Sequence, residues 1–283
     1  MQKSPIKYVF LLPAVLWVLA FTIFPLIYSL RISFYNIRLG RNVSAIWVGL
    51  HNFARVFTDS RVQESVVVTL VLLVTTVTAQ LVLGIALAVL FNRHLPGRSL
   101  LRTLMTTPLF ATPVAVGLLF LTIYYEEGGF INSILPWKIP WISHPQWALV
   151  GVGLVEIWQW TPFCFLVFLA ALQSLPDELY EAARLDTSSG WRVFRSLTLP
   201  MLQPVVILVL LLRLTEGLKV FDIPWGLTGG GPGTATQTYS MFTYRAGFRH
   251  FDFGYSSALG YVMLIAEMIV ITFFFKRMRQ VYE

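Results

Sequence analysis

The sequence predicts an all-α integral membrane protein with six transmembrane helices. Apolar residues make up 56% of the 283 residues and charged residues only 12%, about half of the charged share that is usual in soluble domains. The apolar residues gather in six runs, each close to the length of about 20 residues that crosses a hydrocarbon core. Basic residues flank these runs, where they set the orientation of a membrane protein.

The predicted spans cover residues 8–30, 65–91, 104–125, 147–172, 204–220 and 257–275. The first run follows Lys3 and Lys7 and could be a secretory signal. It is too long for the apolar core of a signal, and bulky residues rather than a small-residue cleavage site follow Pro25. We interpret it as a retained first helix.

Basic residues predict that both termini lie in the cytoplasm. With this orientation the inside segments carry eleven Lys and Arg residues and the outside segments eight, although the inside segments are shorter. The first outside loop, residues 31–64, departs from the trend with five arginines, Arg41 among them. This loop is long enough for an external helix from Asn52 onwards.

Composition excludes several function classes. The net charge of +7 is not arranged as a basic groove interleaved with aromatics, so no nucleic-acid partner is expected. The single cysteine, Cys164, lies in an apolar run and cannot form an intrachain disulfide. The histidines, His51, His94, His144 and His250, lack ligand spacing. We therefore expect no metal site and no catalytic residues.

A glycine-rich segment, residues 229–234, invites comparison with phosphate-binding loops. No lysine precedes Thr234 and no strand leads into the segment, so the pattern of a nucleotide-binding loop is not met. We predict a flexible external turn near the route of the substrate.

An inside loop between the fourth and fifth spans, residues 173–203, has an unusually clear helical pattern. Residues 174–186 predict a helix, because Pro176 suits a first turn and Asp177 and Glu178 complement the positive end of the helix dipole. A break at 187–190 precedes a second short helix, predicted to end before Pro200. Physical reasoning alone leaves two interpretations open, a docking element for another protein and an amphipathic hairpin on lipid headgroups.

The residues of this loop resemble a known pattern. Glu181-Ala182-Ala183, followed by Leu197-x-Leu199-Pro200, is similar to the cytoplasmic signature of permeases in binding-protein-dependent ABC importers. Matches in order along nearly the whole chain resemble the maltose/trehalose-like carbohydrate branch of that family. These matches are Gly49-Leu50-x-Asn52-Phe53, Leu227-Thr-Gly-Gly-Gly-Pro232 and Ala258-Leu259.

The resemblance implies a type I ABC importer permease, with residues 1–283 as one transmembrane domain. It implies that the inside loop couples the permease to an ATPase. The implied coupling residues are Glu181, Ala182, Ala183, Asp186 and Gly190. The family's usual glycine is Thr187 here, and a β-branched residue resists positive φ. Either Gly190 supplies the freedom of the turn, or the docking geometry is shifted.

The same resemblance implies a set of partners. They are a second, similar permease subunit in a heterodimer, two ATPase subunits that use ATP, an extracytoplasmic solute-binding protein, a sugar substrate and membrane lipid. This chain then binds no cofactor and is not an enzyme, and it resides in a bacterial or archaeal cytoplasmic membrane. The alternatives are a stand-alone secondary transporter, although no internal repeat is found, and a membrane-embedded enzyme, although no nucleophile–base pair is visible.

Ionisable residues within the spans are candidate substrate ligands. Arg213, Glu216 and Lys219 are spaced three apart, which places Arg213 beside Glu216, and Glu216 beside Lys219, on one helical face. Such groups seldom face lipid. They therefore line either a sugar site or a structural ion-pair network.

Aromatic and amide groups near Glu156 form a second such cluster, because sugars bind through hydrogen bonds to hydroxyls and stacking on rings. By resemblance to maltose-type permeases, the implied substrate-binding residues are Glu156, Gln159, Trp160, Phe163, Arg213, Glu216, Gly217, Leu109 and Pro113. A disaccharide, an oligosaccharide or a polyol all fit, including a phosphorylated polyol given Arg213.

Overall fold

The computed structural model describes residues 6–38, 45–93 and 96–282. Lys3, Arg41 and His94 lie outside these residues. The α-helices are α1 (Ile6–Val18), α2 (Phe24–Ser33), α3 (His51–Thr58), α4 (Ser60–Phe91), α5 (Arg98–Thr106), α6 (Pro113–Ile123), α7 (Phe130–Ile134), α8 (Pro145–Gln173), α9 (Asp177–Asp186), α10 (Gly190–Val193), α11 (Leu199–Leu218), α12 (Asp222–Thr228), α13 (Tyr239–Tyr244) and α14 (Phe253–Tyr282). Two short strands, β1 (Tyr35–Asn36) and β2 (Ile46–Trp47), pair antiparallel. The all-α prediction is confirmed, and α3 provides the helix expected in the first loop.

Several helices of the described chain are long and apolar enough to span a membrane. Five helical stretches meet both criteria, and a bent pair of helices makes a sixth when it counts as one span. The five are Phe10–Ser33, Ser60–Phe91, Pro145–Gln173, Gly190–Leu218 and Phe253–Lys276. The bent pair is Arg98–Phe110 with Pro113–Ile123.

The third predicted span, residues 104–125, is not one straight helix. Its two halves meet at an angle of 102°. Ala111 and Thr112 between them are extended, with ψ of 138° and 137°. The chain leaves the helix after Phe110. The ring of Pro113 keeps Thr112 extended, because it disfavours helical backbone at the preceding residue, and a new helix starts at Pro113.

The second helix of the inside loop does not end before Pro200, so that prediction is wrong. Helix α10 passes through a wider π-type turn, Phe194–Thr198, directly into α11. Pro200 lies in the first turn of α11, where its missing N–H is tolerated. The change of hydrogen-bond pattern in the π turn accommodates the proline ring that would clash within a regular α-helix.

The chain packs into two compact units. One comprises Met1–Gln63 with Phe242–Ala266, and the other comprises Glu64–Met241 with Glu267–Glu283. In the first unit Asn52, from the motif in the first loop, donates to the backbone oxygens of Ser33 and Tyr35 at 2.8 and 3.0 Å. This amide fixes the end of α2 and the start of β1 against α3.

Glycines set the helix packing of the second unit. A Cβ atom at Gly84 of α4 would lie 2.6 Å from Cβ of Cys164 on α8. Similarly, a Cβ atom at Gly117 of α6 would lie 3.0 Å from Cα of Gly226 on α12. Real Cβ atoms do not approach this closely, so these glycines allow the backbones of the paired helices to touch.

The glycine-rich segment 229–234 is more ordered than the flexible turn predicted for it. The buried hydroxyl of Thr236 donates to the carbonyl oxygen of Gly231 at 2.9 Å and lies 2.6 Å from the hydroxyl of Thr228. The backbone N–H of Thr236 also bonds to the Gly230 oxygen. These bonds close the loop on itself, a consequence of threonines flanking the glycines that composition alone does not reveal.

Candidate functional site

Arg213 on α11 is almost fully buried in the second unit, with 4% of its surface exposed. Its Nε donates to Oε1 of Gln80 on α4 at 3.0 Å, and its guanidinium carbon lies 4.5 Å from the ring centroid of Trp160 on α8. Gln80 also donates through Nε2 to the backbone oxygen of Glu156 at 3.1 Å. The side-chain amide of Gln80 therefore connects α4, α8 and α11 around the buried guanidinium group of Arg213.

Of the two neighbours predicted for Glu216, the structure pairs it with Lys219 and not with Arg213. Glu216 forms its salt bridge with Lys219 at 3.4 Å, and both side chains are largely exposed, at 61% and 47%. Among the described residues, no carboxylate lies within salt-bridge distance of Arg213. Gln80 and Trp160 hold the guanidinium instead, so the ion-pair network is limited to Glu216 and Lys219.

A small cavity of about 80 Å³ brings most of the predicted substrate ligands together. Small-molecule pockets usually measure about 300 Å³ or more, so this one is too small to enclose a sugar by itself. The predicted residues that line it are Pro113, Glu156, Trp160, Arg213, Glu216 and Gly217.

Three predicted residues do not line the cavity. Gln159 donates through Nε2 to the backbone oxygen of Ala111 at 2.9 Å, at the bend between α5 and α6. Its Oε1 is buried without a hydrogen-bond partner in the described chain. Phe163 packs against the apolar core of α8 that contains Phe165. Leu109 lies half-buried in the short 3₁₀ turn Thr107–Phe110.

The cavity also contains residues outside the predicted substrate-binding set. Lys219, Phe221 and Asp222 line it directly, and Gln80 fixes its buried arginine. A signal for Gln80 exists, because it is the only amide in the apolar run 65–91. Polar residues at membrane depth usually face a partner or a cavity.

The predicted coupling residues lie on an exposed hairpin formed by α9 and α10. Glu181, Ala182, Asp186 and Gly190 are exposed, and Ala183 is partly buried. The hydroxyl groups of Tyr180 and Thr198 lie 3.2 Å apart and connect α9 with the π turn that precedes α11. This hydrogen bond therefore attaches the hairpin to the start of the fifth span, so the hairpin is not a loose linker.

Thr187 resolves the question of how the hairpin turns without the family's glycine. Its φ is −156°, an extended conformation that suits a β-branched side chain. Its hydroxyl accepts the N–H of Ser189 at 3.2 Å, and the Ser189 hydroxyl accepts the N–H of Arg192 as a helix N-cap. Gly190 has no left-handed φ, so the expectation that it supplies the freedom of the turn is wrong.

One further carboxylate organises the segment between α6 and α8. Oε1 of Glu126 accepts the N–H groups of Ile142 and Ser143 at 2.9 and 2.7 Å, and Oε2 accepts the Ser143 hydroxyl. Partial burial raises the pKa of Glu126, but the hydrogen bonds from Ser143 and Ile142 outweigh it and hold that pKa below its ordinary value.

Comparison with known proteins gives the family. Residues 80–283 match the model of the binding-protein-dependent transport system inner membrane component. The chain is 34% identical to the trehalose/maltose transport system permease protein of Thermococcus litoralis, over 95% of this chain and 93% of that protein. It is 32% identical to the sulfoquinovosyl glycerol transport system permease protein of Agrobacterium fabrum, over 95% and 89%.

A solved structure supports the fold. A chain of a bacterial ABC transporter involved in the import of alginate superposes with a TM-score of 0.86 at 24% identity, covering 98% of this chain and 96% of that chain. The permease resemblance noted in the sequence is therefore confirmed, and a stand-alone secondary transporter is not favoured. By its sequence match and its helical architecture, the chain belongs to the family of inner membrane components of binding-protein-dependent transport systems.

Proposed function

We propose that this chain forms one half of the translocation path of an ATP-driven sugar importer. The observation that carries the proposal is the group of Glu156, Trp160 and Arg213 around one cavity between membrane helices. Ionisable groups at this depth are costly and usually mark a substrate path or a site. Hydrogen bonds to hydroxyls and stacking on an aromatic face are the interactions that sugars require.

The substrate is a disaccharide, an oligosaccharide or a polyol. The similar proteins named above transport trehalose/maltose and sulfoquinovosyl glycerol by their descriptions, and a third, 30% identical, belongs to a trehalose system of Mycobacterium tuberculosis. The cavity of about 80 Å³ is smaller than such a molecule, so the second permease subunit supplies the rest of the site.

ATP is hydrolysed by two partner subunits that dock on the hairpin of α9 and α10, and this chain binds no nucleotide. Leu185 and Trp191 on this hairpin are 90% and 70% exposed. Apolar side chains exposed beside Glu181 and Ala182 favour a protein interface. The hydrogen bond between Tyr180 of α9 and Thr198, directly before α11, lets movement of the docked ATPase reach the cavity.

The remaining partners follow from the same proposal. A second, similar permease subunit completes the path, and an extracytoplasmic binding protein delivers the sugar. Both termini and the inside loop lie in the cytoplasm of a bacterial or archaeal cell, in agreement with the distribution of basic residues.

The first test concerns the assembly. The tagged full-length chain, purified from its native membrane, should carry a stoichiometric ATPase. The complex in vesicles should take up labelled trehalose or maltose only with ATP on the ATPase side and the binding protein on the other side. Uptake by the chain alone, without ATP, would support a secondary transporter instead.

The second test concerns the cavity. Glu216→Gln should lower sugar uptake at least tenfold, whereas assembly and melting temperature stay unchanged, because Glu216 pairs only with an exposed lysine. Glu127→Gln removes an equal charge from an exposed residue outside the cavity and should leave uptake unchanged. A parallel loss of stability would assign Glu216 to a structural ion pair, and unchanged uptake would remove it from the path.

A further inference from the structure

A second polar pocket lies within the unit formed by Met1–Gln63 and Phe242–Ala266. It has a volume of about 220 Å³ and contains three of the five arginines of the first loop. The side chains that shape its charge are Arg38, Arg55, Arg61, His250, Asp252 and Tyr255. None of these residues takes part in the translocation cavity or the coupling hairpin.

The pocket has more positive than negative charge. Oδ2 of the buried Asp252 accepts Nε and Nη2 of Arg38, at 3.2 and 2.9 Å, and Nη1 of Arg55 at 3.0 Å. Arg61 pairs with Asp59 at 3.1 Å. Three guanidinium groups thus face two carboxylates, which leaves one positive charge uncompensated among the described residues.

The arginines are held in place before any ligand arrives. The guanidinium of Arg55 lies 3.8 Å from the ring centroid of Tyr255, and the hydroxyl of Tyr255 donates to Asp59 at 3.2 Å. Phe251, next to Asp252, has a φ of 53°, which is uncommon for a residue with a side chain. Fixed guanidinium groups lose little entropy on binding a carboxylate, so this pocket is preorganised for an anion.

The size of the pocket selects the kind of anion. About 220 Å³ is below the usual range of small-molecule pockets, which begins near 300 Å³, but it admits one side chain. Two aromatic side chains, Phe242 and Tyr255, line the pocket beside its arginines. Arginine and aromatic residues together are typical of protein interfaces.

We propose that the pocket receives an acidic side chain, an Asp or Glu carboxylate, from the extracytoplasmic binding protein. The inference rests on the proposed function, which supplies both this partner and the outside location of the first loop. The partner's carboxylate would neutralise the surplus charge shared by Arg38 and Arg55, and Asp252 keeps the two guanidinium groups together. Such a contact sets orientation and speeds association.

The experiment measures ATP hydrolysis by the assembled importer in vesicles against the concentration of its binding protein. Arg38→Gln should raise the half-saturating concentration about tenfold at low salt and by much less at high salt, since salt screens exposed charges. Maximal hydrolysis should not change. Arg38→Lys keeps the charge and should recover most of the affinity. Arg31→Gln removes an equal charge from an exposed residue of α2 outside the pocket and is the matched control.

The outcomes separate the two proposals. Equal half-saturating concentrations for Arg38→Gln and Arg31→Gln would overturn the docking role alone, whereas an unmodified importer without stimulation would overturn both. A lower melting temperature for Arg38→Gln, with no recovery in Arg38→Lys, would assign Arg38 to structure instead. If the effect of Arg38→Gln vanishes in vesicles of phosphatidylcholine alone and returns with phosphatidylglycerol, the pocket binds a lipid headgroup and the proposal is wrong.

Discussion

At the residue scale, Gln80 holds the buried cation of the candidate translocation path in place. It accepts a hydrogen bond from buried Arg213 and donates one to the backbone of Glu156. A buried cation without an acceptor is destabilising, since hydrogen bonds to charged groups contribute about 1.5–3 kcal/mol. The position of the guanidinium therefore depends on an amide 133 residues away.

Gln80→Leu should accordingly lower the melting temperature of the complex and reduce transport, because Arg213 loses its acceptor within the membrane. Melting of the purified complex and sugar uptake measure the two effects. Thr75→Ala is the control on the same helix, since the Thr75 hydroxyl bonds only to the backbone of its own helix, at Val71 and Leu72. Equal stability of the two variants would contradict the role of Gln80.

Glu126 gives a residue-scale prediction on pH. Its folded pKa lies below the ordinary value of 4.5, so its stabilising effect is complete above the unfolded pKa and is lost as pH falls through the folded pKa. Amide hydrogen exchange of Ile142 and Ser143, corrected for intrinsic rates, should therefore accelerate below about pH 4.5. In Glu126→Gln, exchange should be faster already at neutral pH and show no such step. If Glu126→Gln still shows the acceleration at low pH, another group causes it. Glu127→Gln is the control and should show the same exchange as the unmodified chain.

At the scale of elements, the hairpin of α9 and α10 joins an exposed surface to a membrane helix. Its turn uses an extended Thr187 and an N-cap at Ser189, and it continues through a π turn into α11. Because α11 also carries Arg213 and Glu216, displacement of the hairpin along its axis would reach the cavity without a flexible link.

Ala183→Trp should disrupt docking of the ATPase subunits. A bulky side chain in a close-packed contact costs roughly 1–3 kcal/mol, so the complex should lose ATPase or uncouple hydrolysis from transport. Ala183→Ser, which stays small, should preserve both. Subunit stoichiometry after purification and stimulated hydrolysis are the measurements. Normal assembly and coupling in the tryptophan variant would show that Ala183 lies outside the docking surface.

At the scale of the whole molecule, thiol labelling measures the orientation of the spans. Single cysteines at Ser60 and Thr234, in a Cys164→Ser background, should react with an impermeant thiol reagent added outside the cell. A cysteine at Ser189 should react only after the membrane is opened. All three positions are exposed and Cys164 is fully buried. Labelling of position 189 from outside would overturn the assignment of both termini to the cytoplasm.

Local composition and length are enough to predict the membrane class, the approximate spans, the helix of the first loop and the helical hairpin between the fourth and fifth spans. The sequence also selected six residues that line one cavity. Whether they bind substrate stays a prediction.

Only the tertiary structure decided how these elements meet. The bend at Ala111 and Thr112, held by Gln159, interrupts an apolar run that reads as one span. The partner of Arg213 is Gln80 on α4 rather than its helical neighbour Glu216. Local spacing fixes which side chains share a helical face, whereas the choice of partner depends on which helices approach. That approach is set here by close backbone contacts at positions such as Gly84, far apart in the chain.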